Sequence, residues 1–217
     1  MDNASADDAT EFVRAHTKLG ALAFISEIPL YLAHEVLPLW NETEAVRHGH
    51  MPPPYWAFAW AGGQALARYL LDHPEIASGK TALDFGAGSG LVGIAAARAG
   101  ASVTAADIDR NSIAAIAMNA AANGVALTII ERDILGSSEY WDLILVGDMC
   151  YERPLAERLL AWLGEKAKQG SKILLGDPGR NYFPATGLTR LSTYSVPTPK
   201  DLEDREIRET SVYAWAG

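Results

Sequence analysis

The sequence predicts a doubly wound α/β fold, with a mostly parallel sheet closed by an antiparallel hairpin at its C-terminal edge. Three observations point there. Between residues 81 and 175, apolar runs of four to six residues alternate with stretches of helical period, the pattern of strands buried on both faces beneath crossover helices. Gly100, Gly124 and Gly170 stand just past the expected helix ends, where a left-handed cap favours glycine. Beyond residue 187 the rhythm changes: residues 188–196 and 206–215 alternate with period two and carry no helical pattern between them, as an antiparallel pair does.

In chain order, residues 11–22 read as an amphipathic helix and residues 27–33 as a short extended segment with Pro29 at its edge. Pro52, Pro53 and Pro54 form a stiff spacer that no helix accommodates. It divides the chain into an N-terminal helical appendage over residues 1–52, a candidate substrate lid, and a domain over residues 53–217. From residue 56 to 72, Trp56, Trp60, Ala61, Leu66, Tyr69 and Leu70 recur at helical spacing until His73-Pro74 stops the helix. Strands are expected over residues 81–84, 102–107, 127–131, 142–146 and 172–175. Helices are expected over residues 91–98, 111–122 and 154–168, with Pro154 in the first turn of the last.

At 217 residues the chain can bury one sizeable core and is short for two enzymatic domains. Hydrophobic residues make up 49% and charged residues 21%, the balance of a globular rather than a disordered protein. No apolar run approaches the roughly 20 residues of a membrane helix, and the acidic start Met1-Asp2-Asn3-Ala4-Ser5-Ala6-Asp7-Asp8 lacks a signal-peptide pattern. The lone Cys150 closes no internal disulfide, builds no cysteine-cluster metal site and fits a reducing compartment, so a soluble cytoplasmic protein is expected. His48 and His50 read as loop residues rather than metal ligands. A net charge of −9 opposes binding to phosphate backbones. The expected partner is a basic protein segment, with no nucleic acid and no membrane.

In a parallel α/β sheet, ligands bind beyond the carboxyl ends of the strands, where the strand order reverses. The first such end is Asp84-Phe85-Gly86-Ala87-Gly88-Ser89-Gly90. Gly86, Gly88 and Gly90 permit a sharp turn and close backbone approach at a helix start that attracts anions. A nucleotide or a carboxylate-bearing nucleoside suits it; a tight turn with no ligand is the plainer alternative. Gly88, Gly90 and Gly93 also satisfy the dinucleotide pattern G-x-G-x-x-G. Asp84 argues against a dinucleotide, whose pyrophosphate it would repel, whereas it can serve a cationic amino-acid moiety through water or backbone amides.

Asp107, followed by Ile108, lies about 20 residues past the glycines, where a carboxylate grips ribose hydroxyls. Asp109, just before a helix, suits an N-cap. At the third strand end Asp133 offers an acceptor for an adenine amino group and Ile134 an apolar surface for the ring, although a surface turn explains both nearly as well. Asp148 and, one turn later, Tyr151 follow the fourth strand, facing either an acceptor or solvent. Asp177-Pro178-Gly179-Arg180 makes a turn in any case; Asp177 or Arg180 would also shape an acceptor channel.

The glycine turn with Asp84 and Asp107 resembles the seven-strand class I methyltransferases, from about Trp56 onward. Pro54-Tyr55-Trp56-Ala57-Phe58-Ala59-Trp60-Ala61-Gly62-Gly63-Gln64, Gly147-Asp148-Met149-Cys150-Tyr151 and Gly176-Asp177-Pro178-Gly179-Arg180 carry a narrower likeness. Together they resemble the lysine methyltransferases that modify the β-subunit of electron transfer flavoprotein. The resemblance implies a Rossmann-like seven-strand sheet, S-adenosylmethionine as cofactor and S-adenosylhomocysteine as product. It implies cofactor contacts from Trp60, Asp84, Gly86, Gly88, Gly90, Asp107, Ile108, Asp133 and Ile134. Asp148 and Tyr151 match the family's acidic-x-x-aromatic signature, which implies a catalytic pair acting on a protein lysine, with the flavoprotein β-subunit as partner. Methyltransferases of amide or adenine amines carry Asn/Asp-Pro-Pro-aromatic at that place. Here Met149-Cys150 replaces the prolines, which disfavours an amide acceptor.

Such a reaction needs a neutral amine held about 3 Å from the methyl carbon and no nucleophile on the enzyme, consistent with the lack of a recognisable Ser-His or Cys-His arrangement. A lysine with a pKa near 10.4 must first lose its proton. Asp148 would orient the amine and stabilise developing charge, yet a carboxylate favours the protonated form, which leaves open whether Asp148 takes the proton. Tyr151, Trp56, Phe58 and Trp60 offer ring faces to a methylated ammonium, or are ordinary core. The alternatives are a methyltransferase of another acceptor (a ribosomal protein or a small amine such as nicotinamide), a nucleotide-dependent oxidoreductase, for which no Tyr-x-x-x-Lys pair is present, and a non-catalytic cofactor-binding module.

Overall fold

The computed structural model describes residues 3–33, 39, 53–199, 203 and 205–216. His48, His50, Pro52 and most of the linker before Pro53 lie outside the described residues. Helix α1 (Asn3–His16) is followed by two short strands, β1 (Lys18–Gly20) and β2 (Leu30–Leu32), paired antiparallel. The helix expected over residues 11–22 therefore starts earlier and stops at His16. Thr17 turns its hydroxyl back onto the Val13 carbonyl at 2.7 Å, and residues 18–20 are drawn into pairing with β2, so a tertiary partner overrides helical period.

A 3₁₀ turn at Tyr55–Ala57 leads through extended residues to α2 (Ala61–Asp72). The spacing from Trp56 suggested a continuous helix, but Phe58 (φ −132°, ψ 150°) and Trp60 (φ −68°, ψ 151°) are extended. Trp56 thus belongs to the 3₁₀ turn and Trp60 to the extended link, not to one continuous helix.

The main sheet then follows the predicted rhythm. Strands β3 (Thr81–Phe85), β4 (Ser102–Asp107), β5 (Thr128–Glu131), β6 (Leu143–Gly147) and β7 (Lys172–Asp177) are parallel. Helices α3 (Leu91–Arg98), α4 (Arg110–Ala122) and α5 (Arg153–Lys168) cross between them. β8 (Leu188–Pro197) and β9 (Ile207–Trp215) close the edge, with β9 antiparallel to both β7 and β8. The order β5-β4-β3-β6-β7-β9-β8 makes seven strands. From β3 the chain runs outward first to β4 and β5, then jumps back to β6 and β7, so the reversal falls between β3 and β6, and a crevice opens at their carboxyl ends.

Burial on both faces explains the unbroken apolar strands. Ala82, Leu143, Leu145, Leu174 and Val212 pack against Leu66 and Leu70 of α2 and Val92 and Ile94 of α3. Their neighbours Leu83, Ile144, Val146, Ile173 and Leu175 face Leu159, Trp162 and Leu163 of α5, as period-two side-chain alternation requires. The N-terminal segment joins this packing. Ile25, Ile28 and Leu30 are fully buried beneath the α2–α3 face, and Val13 packs with Trp56, Phe58 and Ala115. Asn119 of α4 accepts the Tyr31 amide at 2.6 Å, and Asn123 donates to the Pro29 carbonyl at 2.7 Å. Among the described residues no helix is long and apolar enough to cross a membrane.

Candidate active site

A cavity of about 470 Å³ opens at the carboxyl ends of β3, β4, β5 and β6, within the usual size range of small-molecule sites. Of the residues singled out in the sequence, Trp60, Asp84, Gly86, Gly88, Asp107, Ile108, Asp133, Ile134, Asp148 and Tyr151 line it, and Gly90 does not. Gly90 (φ 80°) is the N-cap of α3 and faces Ile116, where a Cβ would stand 3.4 Å from that side chain. Its glycine serves the turn's left-handed backbone rather than the cavity wall.

Gly86 has φ 62°, a left-handed backbone that favours glycine, and a Cβ there would come within 2.5 Å of the sulfur of the flexible Met149 side chain, which would have to shift. The Gly88 amide donates to Asp107 Oδ2 at 2.9 Å, and the Asp109 amide donates to Oδ1 at 3.0 Å. Burial raises the Asp107 carboxyl while these amides pull it back. Asp84 lies beneath the turn and accepts the Gly93 amide at 2.7 Å. Burial pushes its carboxyl up to about 7 against that amide. Asp109 caps α4 by accepting the Asn111 amide at 2.9 Å, and burial pushes it to about 6.

Asp133 pairs with Arg158 at 2.8 Å and accepts the Leu135 amide. Burial raises its carboxyl, but the hydrogen bond and charge of Arg158 together with the Leu135 amide outweigh this and hold it below the usual range. Ile134 beside it is buried, whereas Ile108 stands 69% exposed at the rim. The site thus combines a backbone cradle, an acceptor-bearing strand end and an apolar wall.

The other end of the cavity is built around Asp148. It adopts φ 57°, a left-handed conformation unusual outside glycine, and is buried to 7% exposure. Its Oδ2 accepts the amides of Gly62 and Gly63 at the start of α2, the latter at 3.2 Å. Its Oδ1 accepts Arg180 Nε at 2.8 Å and Nη2 at 2.7 Å. Burial raises its carboxyl; the Arg180 charge opposes this. Arg180 continues to Glu203 through Nη2 at 2.7 Å, and Arg208 reaches Glu203 at 2.9 Å. Burial lowers the Arg180 guanidinium's affinity for its proton, but the charges of Asp148 and Glu203 more than restore it. Asp177 Oδ1 accepts the amides of Gly179 and Arg180 at 2.7 Å each, which aims Arg180 inward.

Aromatic rings complete this end. Tyr151 meets Tyr55 at 5.3 Å between centroids, Tyr55 meets Trp60 at 5.7 Å, and Phe58 meets Trp60 at 6.2 Å. The Trp60 indole N–H donates to the Tyr55 carbonyl at 2.9 Å, and the Arg180 guanidinium lies 5.6 Å over the Trp60 ring. Trp56 is instead buried in the cluster beneath α4. Burial raises the Tyr151 phenol beyond its ordinary value and pushes the Cys150 thiol up to about 12, so both stay protonated. Sequence reasoning missed Tyr55, Glu203 and Arg208. Tyr55 sat in the aromatic run already noticed, but Glu203 and Arg208 lie in a polar stretch with no local signal.

Comparison with known proteins agrees with this geometry. Residues 57–182 match the family described as lysine methyltransferase. The electron transfer flavoprotein beta subunit lysine methyltransferase of Danio rerio is 38% identical, over 97% of this chain and 84% of that protein. The Rattus norvegicus and Homo sapiens proteins of the same name are 39% and 44% identical, over 74% and 60% of this chain and 66% and 51% of theirs. Among solved structures, the Thermus thermophilus 16S rRNA N2 G1207 methyltransferase has a TM-score of 0.57 at 18% identity, covering 92% of this chain and 49% of that one. The Synechocystis magnesium protoporphyrin IX methyltransferase has a TM-score of 0.52 at 16% identity, covering 82% of this chain and 94% of that one. These two structures share the fold, a seven-strand methyltransferase sheet. With the family matched across the catalytic crevice and a relative aligned along nearly the whole chain, this protein belongs to the lysine methyltransferase family and is an S-adenosylmethionine-dependent enzyme of that family.

Proposed function

We propose that this enzyme methylates a lysine side chain on the β-subunit of electron transfer flavoprotein. The observation that carries the reading is the acceptor end of the cavity, where Asp148, Tyr151 and the rings of Tyr55, Phe58 and Trp60 converge. The identity with relatives of that name along most of the chain supports the choice of protein. The net charge of −9 supports a protein rather than a nucleic-acid acceptor. A cytoplasmic setting goes with it, for which the one cysteine, a free buried thiol, is the support.

The residues at the first end of the cavity fit S-adenosylmethionine, which supplies an electrophilic methyl group. Asp107 would hold the ribose hydroxyls, Ile108 and Ile134 would flank the adenine ring, and Asp133 would accept from its amino group. The glycine turn at Gly86 and Gly88, kept in place by Asp84 and continued by Gly90, would leave backbone room for the amino-acid moiety beside Trp60. At the acceptor end Tyr151 keeps its proton, so it serves as a hydrogen-bonding and ring surface rather than as a base. Asp148 has both oxygens engaged by backbone amides and Arg180, so it acts from a fixed position. The rings exclude water and offer their faces to the ammonium that forms.

The test is incubation of the purified protein with radiolabelled S-adenosylmethionine and recombinant flavoprotein β-subunit, with Tyr151→Ala as comparison. Label on a mapped lysine, reduced at least tenfold in the variant, is the expected result. Label absent from the subunit but present in another protein of a cell extract would overturn the acceptor and keep the activity.

A further inference from the structure

A bare Asp148 would work against the reaction assigned to it. A carboxylate within about 4–6 Å of a lysine amine favours the ammonium and raises its pKa by roughly 1–3 units, and an ammonium has no lone pair with which to attack. In this structure Asp148 is not bare. The Arg180 guanidinium lies 2.7 Å from the same oxygen that faces it, is planar and permanently charged, and itself lines the cavity over Trp60. The described charges of the cluster, Asp148, Arg180, Glu203 and Arg208, sum to zero.

We propose that Arg180 is a positioning residue that cancels the charge of Asp148 and thereby sets the pH at which the acceptor amine is neutral. This rests on the lysine reading above. The groups facing the cluster come from the elements around it: Asp148, Cys150 and Tyr151 after β6, Asp177 at the end of β7, Tyr55 in the 3₁₀ turn, Asp107 at the end of β4, Glu203 between β8 and β9, and Arg208 in β9. Cys150 and Tyr151 remain neutral through the range that matters, and Asp177, pushed up to about 7, titrates well below a lysine amine. The merely architectural alternative is that Arg180 ties the ends of β6 and β7 to Glu203.

Sign separates the two. The single-turnover rate of lysine methylation would be followed from neutral to strongly alkaline pH for the wild type, Arg180→Gln, Arg180→Lys and Glu203→Gln, with thermal shift on added S-adenosylhomocysteine confirming folded, binding-competent protein. Removing the positive charge in Arg180→Gln is expected to move the midpoint of the rate profile up by about one unit, a loss of about tenfold at neutral pH that is recovered in alkali. Removing the negative charge in Glu203→Gln is expected to move it down, and Arg180→Lys to leave it near the wild type. Should Arg180→Gln fail to fold, the downward shift in Glu203→Gln carries the test alone. Rate losses with unmoved midpoints would reduce Arg180 to a strut and leave the lysine reading intact. A wild type that methylates no lysine at any pH would instead overturn that reading, and this proposal with it.

Discussion

Asp84 is 2% exposed, and its one amide partner does not offset burial, so its carboxyl sits at about 7 rather than 3.8. A folded-state pKa raised above the unfolded value means that the native protein binds this proton more tightly than the unfolded chain. The stability this provides is complete below about pH 3.8 and is lost as pH rises through about 7. Asp84→Asn carries no charge at any pH. Its Tm relative to the wild type is therefore expected to rise between about pH 4 and pH 8 and then level off; a constant difference across that range would show that Asp84 titrates normally. Asp84, Asp107 and Asp148, which line the cavity, were all legible because each stands at the end of an apolar strand. Their partners were not. The sequence left Asp148 facing either an acceptor or solvent; it is buried, and its oxygens meet Gly62 and Gly63, separated by 86 and 85 residues, and Arg180, separated by 32.

The element that those contacts organise is α2. It has no side-chain cap of its own; Asp148, just past the end of β6, accepts the Gly62 and Gly63 amides, the service an N-cap residue performs locally. This is why its start was misplaced at Trp56, since no capping signal stands next to Ala61. The adjacent glycines have different duties. A Cβ on Gly62 would overlap the Gly176 carbonyl and reach 2.5 Å from Asp148 Oδ2, whereas a Cβ on Gly63 meets nothing closer than Val92 at 3.8 Å. Gly62→Ala is expected to cost about 1–3 kcal/mol through overpacking, and Gly63→Ala to gain up to about 1 kcal/mol in helix propensity, both read by urea denaturation. Equal effects of the two would contradict the close approach of α2 to β7. The parallel strands and their crossover helices, by contrast, were placed within two residues of their observed ends. Burial on both faces leaves a strand no polar side, and glycine marks where each helix stops.

At the scale of the whole molecule, the N-terminal segment shares the core of the sheet domain. Ile28 is fully buried with Leu66, Leu70 and Leu174. Ile28→Ala is expected to destabilise the protein by about 2–5 kcal/mol, with far-ultraviolet dichroism and tryptophan fluorescence falling in one coincident transition. An early, separate loss of part of the signal would mean that residues 3–33 unfold independently. By itself the sequence determined the class of fold, the strand ends that line the cavity and, through motif likeness, the family. Those features rest on local periodicity and on residue types adjacent in the chain. The tertiary structure alone decided that β9 inserts between β7 and β8, that the segment around Ile28 closes one face of the core, and that Glu203 joins Asp148 through Arg180. Each of these depends on which distant segments meet, and ion pairs or buried contacts between residues far apart in the chain leave no period for a sequence to show.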